Sequence, residues 1–132
     1  MAWFVGAVLA LLVAAFARVV GLDKDRAFYP TVLVVVASYY DLFAVMGGSP
    51  SALGAELAVT AAFLVAVVLG FRWNLWIVVG ALAAHGLFDF VHPHVIVNPG
   101  VPAWWPGFCL AYDVTAAACL AVLLRHRTSP RP

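Results

Sequence analysis

Residues 52–70 read ALGAELAVTAAFLVAVVLG, nineteen positions with a single ionisable side chain, Glu56. A helix crossing a hydrocarbon core about 30 Å thick needs roughly 20 such residues in a row. Comparable apolar runs occupy 3–20, 27–47, 73–92 and 104–124. Helix breakers close the runs: Gly21 to Arg26 the first, Gly47-Gly48-Ser49-Pro50 the second, Gly70-Phe71-Arg72 the third, and a Pro-rich stretch from Pro93 to Pro106 the fourth. Of the 132 residues 66% are hydrophobic and only 10% charged, too few polar groups to clothe a water-soluble domain. The expected fold is therefore all-α, a five-helix transmembrane bundle forming a single integral membrane domain over 1–132. The first run is expected to be a permanent helix rather than a secretory signal, because no positive residue precedes it and Arg18 follows it.

Basic residues near helix ends stay on the cytoplasmic side. Arg18, Lys24 and Arg26 flank the first loop, Arg72 lies in the third, and Arg125, Arg127 and Arg131 form the tail, while the second and fourth loops carry none. Five spans put all seven on one side, so the N-terminus is expected outside and the C-terminus in the cytoplasm. A net charge of +1 gives no reason to expect nucleic acid as a partner. Cys109 and Cys119 lie about 15 Å apart along one helix and cannot pair with each other. No Cys-x-x-Cys, Walker loop, dinucleotide-binding glycine pattern or Gly-x-Ser-x-Gly elbow occurs.

The acids are the unusual feature. Asp23 and Asp25 belong to the first loop beside Lys24 and Arg26, but Asp41, Glu56, Asp89 and Asp113 fall inside the second to fifth spans. With the topology above, these four share the outer half or midplane with His85, His92 and His94, opposite every Lys and Arg. A carboxylate in hydrocarbon costs several kcal/mol unless it is paired or protonated. The four acids must then be protonated and neutral, be neutralised by histidines, or hold a cation. The structural alternative is that each bonds a neighbouring helix as glue. Glu56, near the start of its helix, also suits an interfacial acid in contact with water and favoured by the helix dipole.

The densest group is His85-Gly-Leu-Phe-Asp89-Phe-Val-His92-Pro-His94. Positions 85, 89 and 92 lie on one helical face. That spacing suits two tasks equally. His85, Asp89 and His92, with Glu56 or Asp113, are candidate ligands of a divalent metal such as Zn²⁺. Alternatively His85 orients the proton of Asp89 and makes it a general acid in a dry pocket, with no cofactor. Tyr39-Tyr40-Asp41 and Tyr112-Asp113 each place a phenol beside an acid, about 100° apart on the helix, so that one of each pair lines a cavity and the other packs.

Aromatic residues make up 14% of the chain. Trp3, Trp73 and Trp76 read as a membrane-interface belt. Trp104-Trp105-Pro106 opens the fifth span about two turns before Asp113, directly after the stiff segment from His92 to Pro102. That segment reads either as a cap over the acids or as a rigid connector. Candidate catalytic groups are Asp89 with His85, then Asp113, with Glu56 and Asp41 behind them. Tyr40, Phe88, Trp104, Trp105, Phe108 and Tyr112 form a candidate aromatic wall. Acids without counter-ions beside aromatic rings suit a lipophilic substrate that reacts through a cation, as in acid-initiated terpene cyclisation.

A small, Ala/Val-rich, five-span chain carrying Tyr40-Asp41, Glu56, His85 with Asp89, and Trp104-Trp105-Pro106 resembles the small integral-membrane terpene cyclases of bacterial indole-terpenoid and drimane-type pathways. The resemblance covers the overall plan of the chain and transfers no catalytic assignment. It implies an enzyme of the isomerase or lyase type in the bacterial plasma membrane, acting on a lipophilic isoprenoid among membrane lipids, alone or as a homo-oligomer. Two other readings stand beside it. One is a metal-dependent membrane hydrolase using His85, Asp89 and His92. The other is a proton or cation transporter or an accessory subunit of a membrane complex, although no ionisable residue continues a path through the basic half.

Overall fold

Each apolar run becomes one helix, bounded by groups that satisfy its free backbone ends. The computed structural model describes residues 1–128, where it contains α1 (Ala2–Val20), α2 (Phe28–Met46), α3 (Pro50–Arg72), α4 (Trp76–Val95) and α5 (Trp105–Thr128), with a 3-10 turn at Leu22–Lys24. Arg131, expected in the basic tail, lies outside the described residues. All five helices are long and apolar enough to cross a membrane, and the fold is a five-helix transmembrane bundle. Gly21 ends α1 in the left-handed conformation at φ 90°, its N–H bonding Ala17 O. Ser49 starts α3 by accepting the Ala52 N–H at 3.2 Å, with Pro50 in the first turn where its missing donor is harmless.

Two expected breaks shift. Helix α3 runs through Gly70 to Arg72, and the turn falls at Trp73–Leu75, where Asn74 accepts the Trp76 N–H. Arg26 explains the extension, because its guanidinium donates to the Phe71 and Gly70 carbonyls and so caps the end of α3. Helix α4 likewise continues past Pro93 to Val95. A proline in the last turn removes only one backbone bond, and the Ile96 N–H still closes on His92 O.

Helix α1 packs on α5, α5 on α4, α4 on α3 and α3 on α2, with α2 also reaching α4. The α1 to α5 seam is built from small residues. Gly6, Ala10 and Ala17 are the buried residues of α1, and a Cβ on Gly6 would stand 2.1 Å from the Phe108 carbonyl oxygen. At one end of the bundle the basic residues knit the loops together, with Arg18 pairing with buried Asp23 at 3.4 Å and Arg127 donating to the Asp23 carbonyl. At the other end the α4–α5 connection docks on the end of α2, where Gly100 is close against the Phe43 carbonyl and Gly47. Outward-facing positions are apolar, Phe4, Leu12, Phe16, Val65 and Val68 among them. Glu56, His85, Asp89, His92 and Asp113 face inward.

The seam yields a direct test. Gly6→Val should force α1 from α5 and lower stability by about 1–3 kcal/mol. Gly80→Ala, where an added Cβ meets nothing within 4 Å, should be tolerated. Thermal unfolding in mild detergent compares the two, and equal melting temperatures would refute the close seam.

Candidate active site

Helix α4 supplies three inward positions one turn apart, and each reaches a different helix. His85 Nδ1 lies 2.5 Å from Asp113 Oδ2 of α5. Asp89 Oδ1 accepts the Tyr40 hydroxyl of α2 at 2.7 Å. His92 Nε2 lies 2.6 Å from Glu56 Oε1 of α3. Glu56, His85, Asp89, His92 and Asp113 are each no more than 2% exposed. The i, i+4, i+7 face of α4 is thus the axis about which α2, α3 and α5 are arranged.

Two sub-clusters result. In the first, His85 stands between two acids, since its Nδ1 is also 3.5 Å from Asp89 Oδ2. Cys109, one turn before Asp113, places its Sγ 3.9 Å from Asp113 Oδ2. In the second, Glu56 Oε1 also accepts from Asn98 at 2.9 Å, and Asn98 reaches the Tyr40 carbonyl at 3.1 Å. The Pro-rich connection therefore sends Asn98 down onto the second sub-cluster. Tyr40 joins the two: its hydroxyl holds Asp89 while its ring stacks on His92, with centroids 3.9 Å apart and planes 17° apart.

Among the described residues no Lys or Arg forms a hydrogen bond or ion pair with these acids. Each keeps one buried oxygen without a hydrogen-bond partner: Glu56 Oε2, Asp89 Oδ2 and Asp113 Oδ1. Such oxygens are expensive in an apolar interior unless they carry a proton or meet a ligand. Rings close the site. Phe63 meets His85 edge-on at 4.8 Å, and Phe88 lies 5.9 Å from Tyr40 and 5.3 Å from His92.

The remaining candidates lie elsewhere. Asp41 is half-buried and bonded to Thr60 at 2.8 Å, apart from both sub-clusters, as the 100° between neighbours requires once Tyr40 points inward. His94 is exposed. Trp104 is 54% exposed on the outside of the bundle. Trp105, Phe108 and Tyr112 line an apolar cleft of about 330 Å³ between α2 and α5. His92 is engaged by Glu56 and does not join His85 and Asp89. The ligand-type atoms lying within 4.8 Å of one another belong to His85, Asp89, Cys109 and Asp113.

Sequence reasoning passed over Cys109, Phe63 and Asn98. Cys109 carried a usable signal, four residues before Asp113 and hence on its face. Phe63 lies seven residues after Glu56, a weaker sign of the same kind. Asn98 had none beyond being polar in an apolar stretch. Comparison with protein-family models, curated protein sequences and solved structures gives no match.

The Glu56–His92 contact predicts a non-additive pair. His92→Phe alone strands a buried acid and should cost about 3–5 kcal/mol. Adding Glu56→Leu removes the stranded group and should recover most of the loss. Additive losses in a double-mutant cycle, read by thermal unfolding, would show that the two side chains do not interact.

Proposed function

We propose that the chain is a membrane-embedded acid–base enzyme that protonates a lipophilic isoprenoid and directs cyclisation of the cation so formed. The observation that carries this reading is one imidazole, His85, held between two buried carboxyl groups, Asp89 and Asp113. A single imidazolium neutralises a single carboxylate, and in a water-poor interior the second carboxyl is stable as the acid. Asp113, at 2.5 Å, is the ionic partner. Asp89 is the proton donor, with Tyr40 holding Oδ1 and the proton on Oδ2, the oxygen left without a bonded partner.

The reaction balances without a co-reactant. Oδ2–H of Asp89 transfers its proton to an alkene carbon or an epoxide oxygen, leaving a carbocation. A neighbouring π bond of the substrate attacks, and a carbon–carbon bond forms. Loss of a proton from the last cation returns it to the Asp89 carboxylate, so that product and substrate are isomers. His85 and Tyr40 stabilise that carboxylate while it exists, and the faces of Phe63, Phe88 and Tyr40 stabilise positive charge. Glu56 and His92 are positioning residues that hold the Tyr40 ring. The basic end of the bundle faces the cytoplasm of a bacterial plasma membrane in this reading, following the distribution of Arg and Lys.

Asp89→Asn should lower turnover of linear prenyl alcohols or their epoxides about 10²–10⁴-fold, the usual contribution of a general acid. Asp113→Asn should also impair turnover, with helicity unchanged by circular dichroism. Cyclised isomers are detected by gas chromatography and mass spectrometry, and full activity in both variants would remove the acid mechanism.

A second reading rests on the same four side chains. His85, Asp89, Cys109 and Asp113 offer nitrogen, sulfur and oxygen donors close enough to surround one ion, a set that suits Zn²⁺. A metal there would supply an activated water against a lipid-borne ester or amide. Under this reading elemental analysis finds about one equivalent of Zn or Fe that His85→Ala and Cys109→Ala both lose. Chelator-insensitive activity counts against it.

A further inference from the structure

The cleft between α2 and α5 is not used by the acid chemistry as described, yet it shares a wall with it. On α2 its lining repeats at helical spacing, Phe28, Val32, Val35 and Tyr39, along roughly 17 Å of helix. Facing these on the antiparallel α5 are Trp105, Phe108 and Tyr112. The rings of Tyr39 and Trp105 meet at 4.8 Å and close one end. Rim and floor differ in exposure: Leu9, Thr31 and Val35 are exposed on the lipid-facing surface, whereas Val36, Trp105 and Cys109 are buried. The cleft therefore opens on the side of the bundle, the surface that meets acyl chains in a bilayer. Its volume of about 330 Å³ falls in the range of small-molecule sites.

Cys109 decides what the cleft can serve. It is the one lining residue that also belongs to the His85, Asp89 and Asp113 group, with its Sγ 3.9 Å from Asp113 Oδ2. A chain lying in the cleft would have one end against a small side chain, beyond which stand the carboxyl groups. The rings of Phe28, Phe108 and Tyr112 lie along its length, and Tyr39 and Trp105 close the end beyond Cys109. Their faces favour positive charge. A saturated acyl chain gains nothing from that beyond burial; an unsaturated chain that becomes a cation does.

We infer that the α2/α5 cleft is the seat of a linear isoprenoid chain, entered laterally from the bilayer, with the end that is protonated lying at Cys109 and the rest extending toward Phe28. The choice of an isoprenoid occupant rests on the acid-catalysis reading above; the position and direction of the chain rest on the cleft itself.

The experiment uses full-length Asp89→Asn protein in lipid nanodiscs, so that occupancy is read without turnover. Two linear C20 prenyl probes carry a photoreactive diazirine, one at the alkene terminus distal to the alcohol and the other at the alcohol end. Adducts are mapped by mass spectrometry. The distal probe is expected to label 105–112 and the alcohol-end probe 28–35, with Val32→Trp or the rim variant Val35→Trp lowering labelling at least tenfold. Adducts spread over the outer face of α3 around Val65 and Val68, or the same residues labelled by both probes, would overturn the inference. So would equal labelling by a saturated probe of the same length. Wild-type protein that cyclises prenyl substrates while the probes label α3 sinks the seat and leaves the acid mechanism standing. Directional labelling of the cleft supports the seat even if Asp89→Asn keeps full activity, which would remove only the acid mechanism.

Discussion

Three carboxyl groups buried among apolar helices, with no Lys or Arg bonded to them among the described residues, set the terms for everything else in this bundle. Each must find a hydrogen-bond donor or stay protonated, because hydrocarbon offers no water to replace a missing partner. Two histidines, one tyrosine and Asn98 supply the donors, and all three acids are reached from α4 or lie on it. The polar interior and the apolar exterior follow together. A five-helix chain this small has few contacts to lose, so the tie from α4 to α2, α3 and α5 fixes helix rotation as much as packing does.

The same tie divides the polar groups into two clusters. Glu56 and His92 form a balanced pair, closed by Asn98 from the connection above it. His85 faces two acids, Asp113 at 2.5 Å and Asp89 at 3.5 Å. This cluster sits next to Cys109 and hence beside the cleft between α2 and α5. Tyr40 touches both groups through different parts of its side chain, so the balanced pair steadies a residue that bonds the unbalanced one. Arg18, Arg26 and Arg127 take no part in either and hold the opposite end of the bundle through Asp23 and the carbonyls of α3.

Hydropathy alone was enough to count five helices, because the length of an apolar run and the thickness of hydrocarbon are directly comparable. The ends were less legible. Gly70 and Pro93 looked like breaks and are helical, since Arg26 caps the carbonyls beyond Gly70 and Pro93 falls where only one backbone bond is lost. Inward positions on α4 could be read from spacing, and His85, Asp89 and His92 do share a buried face. Their partners could not. His92 was grouped with His85 and Asp89 as a candidate metal ligand and instead meets Glu56, and Asp41, ranked last among the candidate acids, bonds Thr60.

What the amino-acid sequence determined by itself was the membrane fold, the set of acids and histidines within it, and their distance from every basic side chain. Tertiary structure decided which acid meets which donor. Periodicity specifies the face a residue occupies on its own helix but not the rotation or neighbour of that helix, and those depend on close approaches such as Gly6 against Phe108 and Gly100 against Phe43. A rotation of one residue, about 100° on a helix, would exchange Tyr40 for Asp41 at the interior. Only the packed bundle fixes that angle, and with it the position of Cys109 between the carboxyl groups and the cleft that opens to the lipid.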